Sequence, residues 1–108
     1  MPSWNKQDFC HFLITELEIS PRVAKDYADR CGRIQKILNV DLADYTKNAT
    51  SYMDLLLLVH QHFTNLNKEK KTLYALNGTY MNAIRKLALF LWGEPVVSSY
   101  KKYFYRSY

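Results

Sequence analysis

The stretch SPRVAKDYADRCGRIQKIL, residues 20–38, carries the clearest helix signal in the chain. Ser20 is a favoured N-cap residue, and Pro21 suits the first helical position, where a backbone N–H has no helical partner. Apolar side chains then recur every three or four residues, which is the period of one helix face. They are Val23, Tyr27, Cys31, Ile34 and Leu38. The stretch therefore predicts an amphipathic helix from about Pro21 to Leu38.

The first and third helices are predicted from their caps and apolar stripes. Asn5 is a good N-cap residue, and an apolar stripe extends the first helix to about Leu17. Thr50 or Ser51 caps a third helix that ends near Leu66. Because the apolar band of the third helix is wide, we expect it to be the central helix of the fold.

A fourth helix is predicted from about Thr79 to Trp92, with Gly93 as the residue that ends it. The triplet Asn77-Gly78-Thr79 is typical of a turn or cap. The apolar residues 73–76 before it therefore form either a separate turn or the beginning of the same helix. Between the second and third helices we expect a loop with one short turn at residues 41–45.

The chain of 108 residues is long enough for one domain. We predict an all-α bundle of four main helices over residues 1–93 and a tail over residues 94–108. The tail is either a packed strand or helix, or a segment that becomes ordered on binding. Aromatic residues alternate with basic residues along the tail, a pattern that suits stacking on bases or contacts with phosphates. These residues are Tyr100, Lys101, Lys102, Tyr103, Tyr105, Arg106 and Tyr108.

Composition and charge exclude several classes of protein. Hydrophobic residues make up 48% of the chain and charged residues 23%, which is ordinary globular composition. The N-terminus lacks a basic segment followed by an apolar run, so we expect a cytoplasmic protein without a signal peptide or membrane span. Cys10 and Cys31 are then reduced thiols. The net charge of +5 permits a polyanionic partner.

The sequence does not predict a catalytic or metal site. His60 and His62 lie two residues apart on a helix and point in nearly opposite directions, so they cannot ligate one metal ion together. No glycine-rich loop is present to hold a phosphate, and no carboxylate pair lies in an apolar setting beside a base. We therefore expect no enzymatic activity and no cofactor.

Basic and short polar side chains collect on the second and fourth helices, opposite the apolar stripes. Phosphate contact and groove recognition require such faces. The alternative is an ordinary solvated face, since pairs such as Lys25 and Asp29 at i,i+4 spacing neutralise each other. The candidate residues are Arg22, Lys25, Arg30, Arg33 and Lys36 on the second helix, and Thr79, Asn82, Arg85 and Lys86 on the fourth.

Parts of the pattern resemble the N-terminal core-binding domain of tyrosine recombinases of the phage-integrase type. The resemblance rests on Phe9-x-x-Phe12-Leu13, on residues 20–27, on the loop around Asp41-Leu42 and on residues 79–91, and it covers about residues 5–93. It implies a SAM-like helical fold that clamps double-stranded DNA. It also implies that the second and fourth helices, with the nine candidate residues above, approach the major groove.

The recombinase catalytic domain carries an Arg, a His-x-x-Arg and a nucleophilic Tyr over a segment far longer than residues 94–108. The chain is therefore either a fragment of a longer recombinase or a stand-alone protein that kept only the DNA-clamping module, and we expect these residues to bind DNA without catalysis. The alternative is a helical protein–protein interaction module, a homodimer or an adaptor, that uses Trp92 and the tyrosine-rich tail as its surface.

Overall fold

The computed structural model describes residues 4–66 and 69–101, and within them the regular secondary structure is all helical, without a strand. The all-α class is therefore confirmed. Two short helices accompany the four long ones. The six helices of the described residues are α1 (Lys6–Thr15), α2 (Pro21–Leu38), α3 (Leu42–Tyr45), α4 (Ala49–Thr64), α5 (Lys70–Trp92) and α6 (Glu94–Ser98). Among the described residues, no helix combines the length and the apolar character that crossing a membrane requires.

Local signals set the start of α1 and both ends of α2, whereas α1 ends at Thr15 and not near Leu17 as predicted. The Asn5 side chain accepts a hydrogen bond from the backbone N–H of Asp8 at 3.1 Å, as its N-cap role predicts. Ser20 accepts one from the N–H of Val23 at 3.4 Å, and α2 has the predicted bounds. Asn39, in the left-handed conformation at φ 54°, ends α2.

The cap of α4 differs from the prediction. Asn48, not Thr50 or Ser51, is the N-cap residue, and its side chain accepts a hydrogen bond from the backbone N–H of Ser51 at 2.8 Å. Thr50 and Ser51 lie inside the first turn. Asn is as good a cap as Ser, and here its extended backbone brings the side-chain oxygen to the free N–H groups of the helix.

Helix α5 is longer than predicted, because the triplet Asn77-Gly78-Thr79 continues the helix instead of interrupting it. The apolar residues 73–76 belong to the same helix. Leu73 and Leu76 pack against the core, and these tertiary contacts outweigh the local turn preference. Gly93 ends the helix with φ 88°, as expected.

The central helix is α5. The wide apolar band of α4 had predicted that α4 would be central, and this prediction is wrong. Helix α5 packs against α1, α2, α3, α4 and α6. Its buried face includes Ala83 and Ala88, whose small side chains allow neighbouring helices to approach closely. Apolar width on one helix does not show which helix the others surround, because that depends on the packing of all of them.

One inward position of α2 was also predicted wrongly. Val23 is 41% exposed, whereas Ala24 and Ala28 are buried. Helix α1 packs on the alanine side of α2, where the Cys10 thiol lies 3.7 Å from the Ala24 carbonyl oxygen. The small alanine side chains permit this approach, so the buried face is rotated relative to the stripe of large residues.

Residues 94–101 pack on the same core as the preceding helices. Tyr100 is fully buried, and its ring stacks on that of Tyr52 with centroids 3.9 Å apart and planes within 4°. Its hydroxyl donates a hydrogen bond to the Thr46 carbonyl. The remaining rings and cations predicted for the tail lie outside the described residues. They are Lys102, Tyr103, Tyr105, Arg106 and Tyr108.

Two neighbouring leucines on α4 test the core assignment. Leu56 is 4% exposed and Leu57 is 55% exposed. Leu56→Ala should lower the free energy of unfolding by about 2–5 kcal/mol, because it removes buried methyl groups and leaves a cavity. Leu57→Ala should change it by less than about 1 kcal/mol. Urea denaturation followed by circular dichroism measures both, and equal losses would contradict the orientation of α4.

Tyr100 predicts a fall in stability at alkaline pH. Burial, and secondarily the neighbouring Tyr52, raise the pKa of the Tyr100 hydroxyl. Above about pH 10 the unfolded chain therefore loses this proton while the folded chain keeps it, and stability falls by up to about 1.4 kcal/mol per pH unit. Tyr100→Phe should be less stable at neutral pH, because the Thr46 carbonyl loses its donor.

The difference in the free energy of unfolding between wild type and Tyr100→Phe should then shrink as the pH rises from about 9 to 11, since the variant lacks this ionisation. Denaturation curves at three pH values in that range measure the effect. Parallel pH profiles for wild type and Tyr100→Phe would contradict the burial of the hydroxyl.

Candidate nucleic-acid interface

The Tyr27 ring is the point at which α2 and α5 bring predicted site residues together. The Asn82 side-chain amide donates a hydrogen bond to the Tyr27 hydroxyl at 3.1 Å. The Lys86 ammonium lies 5.7 Å from the ring centroid, and the Arg30 guanidinium carbon lies 5.8 Å from it. We call Tyr27, Arg30, Asn82 and Lys86 the Tyr27 seam. Three of the nine candidate residues thus converge on one half-buried ring.

The group that contacts Arg30 and Lys86 determines whether these cations keep their charge for a ligand. An aromatic face attracts a cation through its quadrupole and leaves the net charge in place. A carboxylate, by contrast, cancels that charge. Among the described residues, no carboxylate forms an ion pair with Arg30 or Lys86. The Tyr27 seam therefore positions two positive charges at the protein surface without neutralising them.

A shallow cleft of about 170 Å³ extends the Tyr27 seam toward α6. It is lined by Asn82, Arg85, Lys86, Leu89 and Val97. One guanidinium nitrogen of Arg85 donates to the Tyr52 hydroxyl at 3.1 Å, which anchors this side chain to α4. The cleft therefore presents two cations and an amide from a single face of α5.

Arg33 bridges the two helices in a similar way, although it is exposed. Its guanidinium donates a hydrogen bond to the Tyr80 hydroxyl of α5 at 2.9 Å. This bond raises the pKa of Arg33, so the group stays charged under all ordinary conditions. Arg33 also lines a second cleft, on the α1 side of α2, together with Lys36. It thus lies between the α5 side and the α1 side of α2.

Lys25 is neutralised and lies apart from the Tyr27 seam. Its ammonium contacts the Asp29 carboxylate at 2.9 Å, which is the i,i+4 pair expected from the sequence. The hydrogen bond between them raises the pKa of Lys25 and lowers the pKa of Asp29. Together with Asp29, Lys25 lines a cavity of about 390 Å³ between α1 and α2. Arg22 and Thr79 are exposed on α2 and α5.

Sequence reasoning overlooked two residues that shape this surface. Tyr27 was assigned to the apolar stripe of α2. Only one feature of the sequence indicates that its ring contacts cations, namely Arg30 three residues later on the same helix face. Lys6 was not selected at all. It lies on α1 and reaches α2 only in the folded protein, where its ammonium is 3.5 Å from the Asp29 carboxylate.

Other chemistry finds little support in the described part of the chain. No group of three or more His, Cys, Asp or Glu residues there could hold a metal ion. His60 is exposed, and His62 makes an edge contact with the Phe63 ring at 5.1 Å. Cys10 and Cys31 are free thiols. Burial raises the pKa of both, so neither is activated as a thiolate nucleophile.

Comparison with known proteins identifies no relative. No family model, no curated protein sequence and no solved structure matches the chain. The resemblance to the recombinase core-binding domain therefore stays a prediction.

The two cysteines provide a direct test of this part of the structure. Alkylation with iodoacetamide in denaturant, without reductant, should add two groups to the freshly purified protein, because both thiols are free. Under native conditions half-buried Cys10 should react well before buried Cys31. Mass spectrometry of the peptides measures both rates. A protein that takes up no label in denaturant, or reacts first at Cys31, would contradict the prediction.

Proposed function

We propose that the protein binds double-stranded DNA, without catalysis, through the α2–α5 face centred on the Tyr27 seam. The observation that carries this proposal is the pair of cations, Arg30 and Lys86, held by an aromatic ring instead of a carboxylate. Among the described residues neither cation forms an ion pair, so both keep their charge for a polyanion. Duplex affinity depends mainly on such phosphate contacts, which release condensed counterions.

The groups beside these cations suit the same partner. Asn82 and Arg85 border the cleft between α5 and α6, next to Lys86. Amide and guanidinium groups are the side chains that contact phosphates and read base edges in the major groove. Affinity would come mainly from the phosphates, and a few side chains would supply any sequence preference. The proposal includes the SAM-like arrangement of the recombinase core-binding domain and a cytoplasmic location.

The alternative partner is another protein, bound through Trp92 and the tyrosine-rich tail. Two contacts favour DNA over this alternative. The Trp92 indole N–H donates to the Thr46 hydroxyl at 3.0 Å, although the ring is 41% exposed. Tyr100, the first tail ring, is fully buried. Both residues thus use their polar groups inside the protein, where a partner cannot reach them.

A titration of a fluorescent duplex at several salt concentrations tests the proposal. Wild-type affinity should fall with salt along a log–log slope of about −0.9 for each phosphate contact. Lys86→Ala should weaken binding on every sequence and reduce the magnitude of that slope by about one. Arg30→Ala should act in the same direction. The thermal midpoint of each variant should stay near that of wild type, because both side chains are only half-buried and neither belongs to the core.

Lys47→Ala is the matched control, since it also removes one positive charge. Lys47 pairs with Asp44 of α3 at 2.7 Å, so a carboxylate already neutralises it, and its removal should leave affinity and slope unchanged. Absence of duplex binding at low salt, or equal effects of Lys47→Ala and Lys86→Ala, would refute the proposal. In the first case the protein-interaction alternative would replace it.

A further inference from the structure

Gly32 has a specific reason to be glycine in the interior of α2. A Cβ atom built at this position would lie 2.9 Å from the Lys6 Cε and 3.2 Å from its Nζ. The end of the Lys6 side chain therefore lies directly across the α2 backbone, in space that any other residue would fill. Glycine lowers helix stability relative to alanine. Here its absent side chain allows α1 to deliver an ammonium group to the surface of α2.

The ammonium enters an open cleft of about 380 Å³, which we call the Lys6 cleft. Among the described residues, three cations and one carboxylate line it, which leaves a net charge of +2. The lining residues are Lys6, Asp29, Gly32, Arg33 and Lys36. A cleft with this excess of positive charge and a floor of bare backbone suits a small, multiply charged anion.

The single carboxylate does not saturate the cleft. Asp29 makes its short contact, 2.9 Å, with Lys25, which does not line the cleft. Its contact with Lys6 is longer, at 3.5 Å. One ammonium thus already neutralises Asp29, and Lys6 is held near the cleft by a weaker interaction that an anion could replace.

Arg33 contributes a second donor whose orientation is restrained. One guanidinium nitrogen donates to the Tyr80 hydroxyl at 2.9 Å. A guanidinium carries five N–H donors in a rigid plane, so this bond leaves others for an anion in the cleft. Planar guanidinium groups and lysine ammonium groups are the two side chains that bind phosphate oxygens most often.

We propose that the Lys6 cleft binds a phosphate group, held by Lys6, Arg33 and Lys36 above Gly32. In its main form this inference rests on the proposed function: the phosphate belongs to the duplex backbone, and Arg33 connects the cleft with the α5 side of the interface. A free polyphosphate would present the same phosphate oxygens to the Lys6 cleft. The two sources are separated by titrating the protein with a DNA duplex and, independently, with inorganic tripolyphosphate.

Gly32→Ala is the decisive variant, and Gly78→Ala is its matched control. Both replace a glycine inside a helix with alanine, so neither should lower the thermal midpoint. The Cβ at position 32 displaces Lys6, whereas the Cβ at position 78 meets no atom within 4 Å. Gly32→Ala should weaken phosphate binding roughly tenfold, as expected for the loss of one charge-assisted hydrogen bond. Gly78→Ala should bind like wild type.

Lys6→Ala provides an independent variant that does not alter the α2 backbone. It should reproduce the loss seen with Gly32→Ala and reduce the magnitude of the duplex salt slope by about one. If Gly32→Ala folds poorly, this surface substitution still decides the question. Equal binding of wild type and Lys6→Ala in both titrations would overturn the inference, and so would the absence of binding to either probe.

The outcomes separate this inference from the proposed function. Duplex binding that depends on Lys86 but not on Lys6 or Gly32 would leave the proposed function intact and refute the phosphate site. Binding of tripolyphosphate that is lost in Gly32→Ala, without any duplex binding, would support the cleft with a free phosphate as its source and refute the DNA proposal. Duplex binding weakened by both Gly32→Ala and Lys86→Ala would support both.

Discussion

The buried Thr46 at the end of α3 is the constraint on which the rest of the structure depends. Its hydroxyl donates to the Leu42 carbonyl at 2.6 Å and accepts the Trp92 indole N–H, while its own carbonyl accepts the Tyr100 hydroxyl. One residue without solvent exposure thus ties α3 to the end of α5 and to the segment after α6. Loss of the Tyr100 hydroxyl would remove the donor to the buried Thr46 carbonyl, which is costly.

The same contacts position the candidate interface. Tyr100 stacks on Tyr52, and Tyr52 in turn accepts a hydrogen bond from Arg85. With its end anchored through Trp92, α5 lies where Asn82 and Lys86 meet Tyr27 on α2. The position of the surface that carries the cations is therefore a consequence of the aromatic core behind it.

Tyrosine is the usual partner of the cations at this surface. Arg33 donates to Tyr80 and Arg85 to Tyr52, while Arg30 and Lys86 approach the Tyr27 ring. A hydroxyl or an aromatic face orients a cation without cancelling its charge, unlike the carboxylate that binds Lys25. Tyr27, Tyr52 and Tyr80 thus do more than fill the core: they orient the cations of this surface.

The sequence alone determined the all-α class, both ends of α2, the Asn5 cap and the stop at Gly93, because each depends on neighbours within a few residues. Tertiary structure decided the rest. Packing extends α5 across residues 77–79, since the partial burial of Leu73 and Leu76 against the core outweighs the local preference of these residues for a turn. Packing also places Arg30 and Lys86 near the Tyr27 ring. It brings the end of the Lys6 side chain against Gly32. Helical periodicity assigns a side chain to a face, but only the packed fold determines what lies opposite that face.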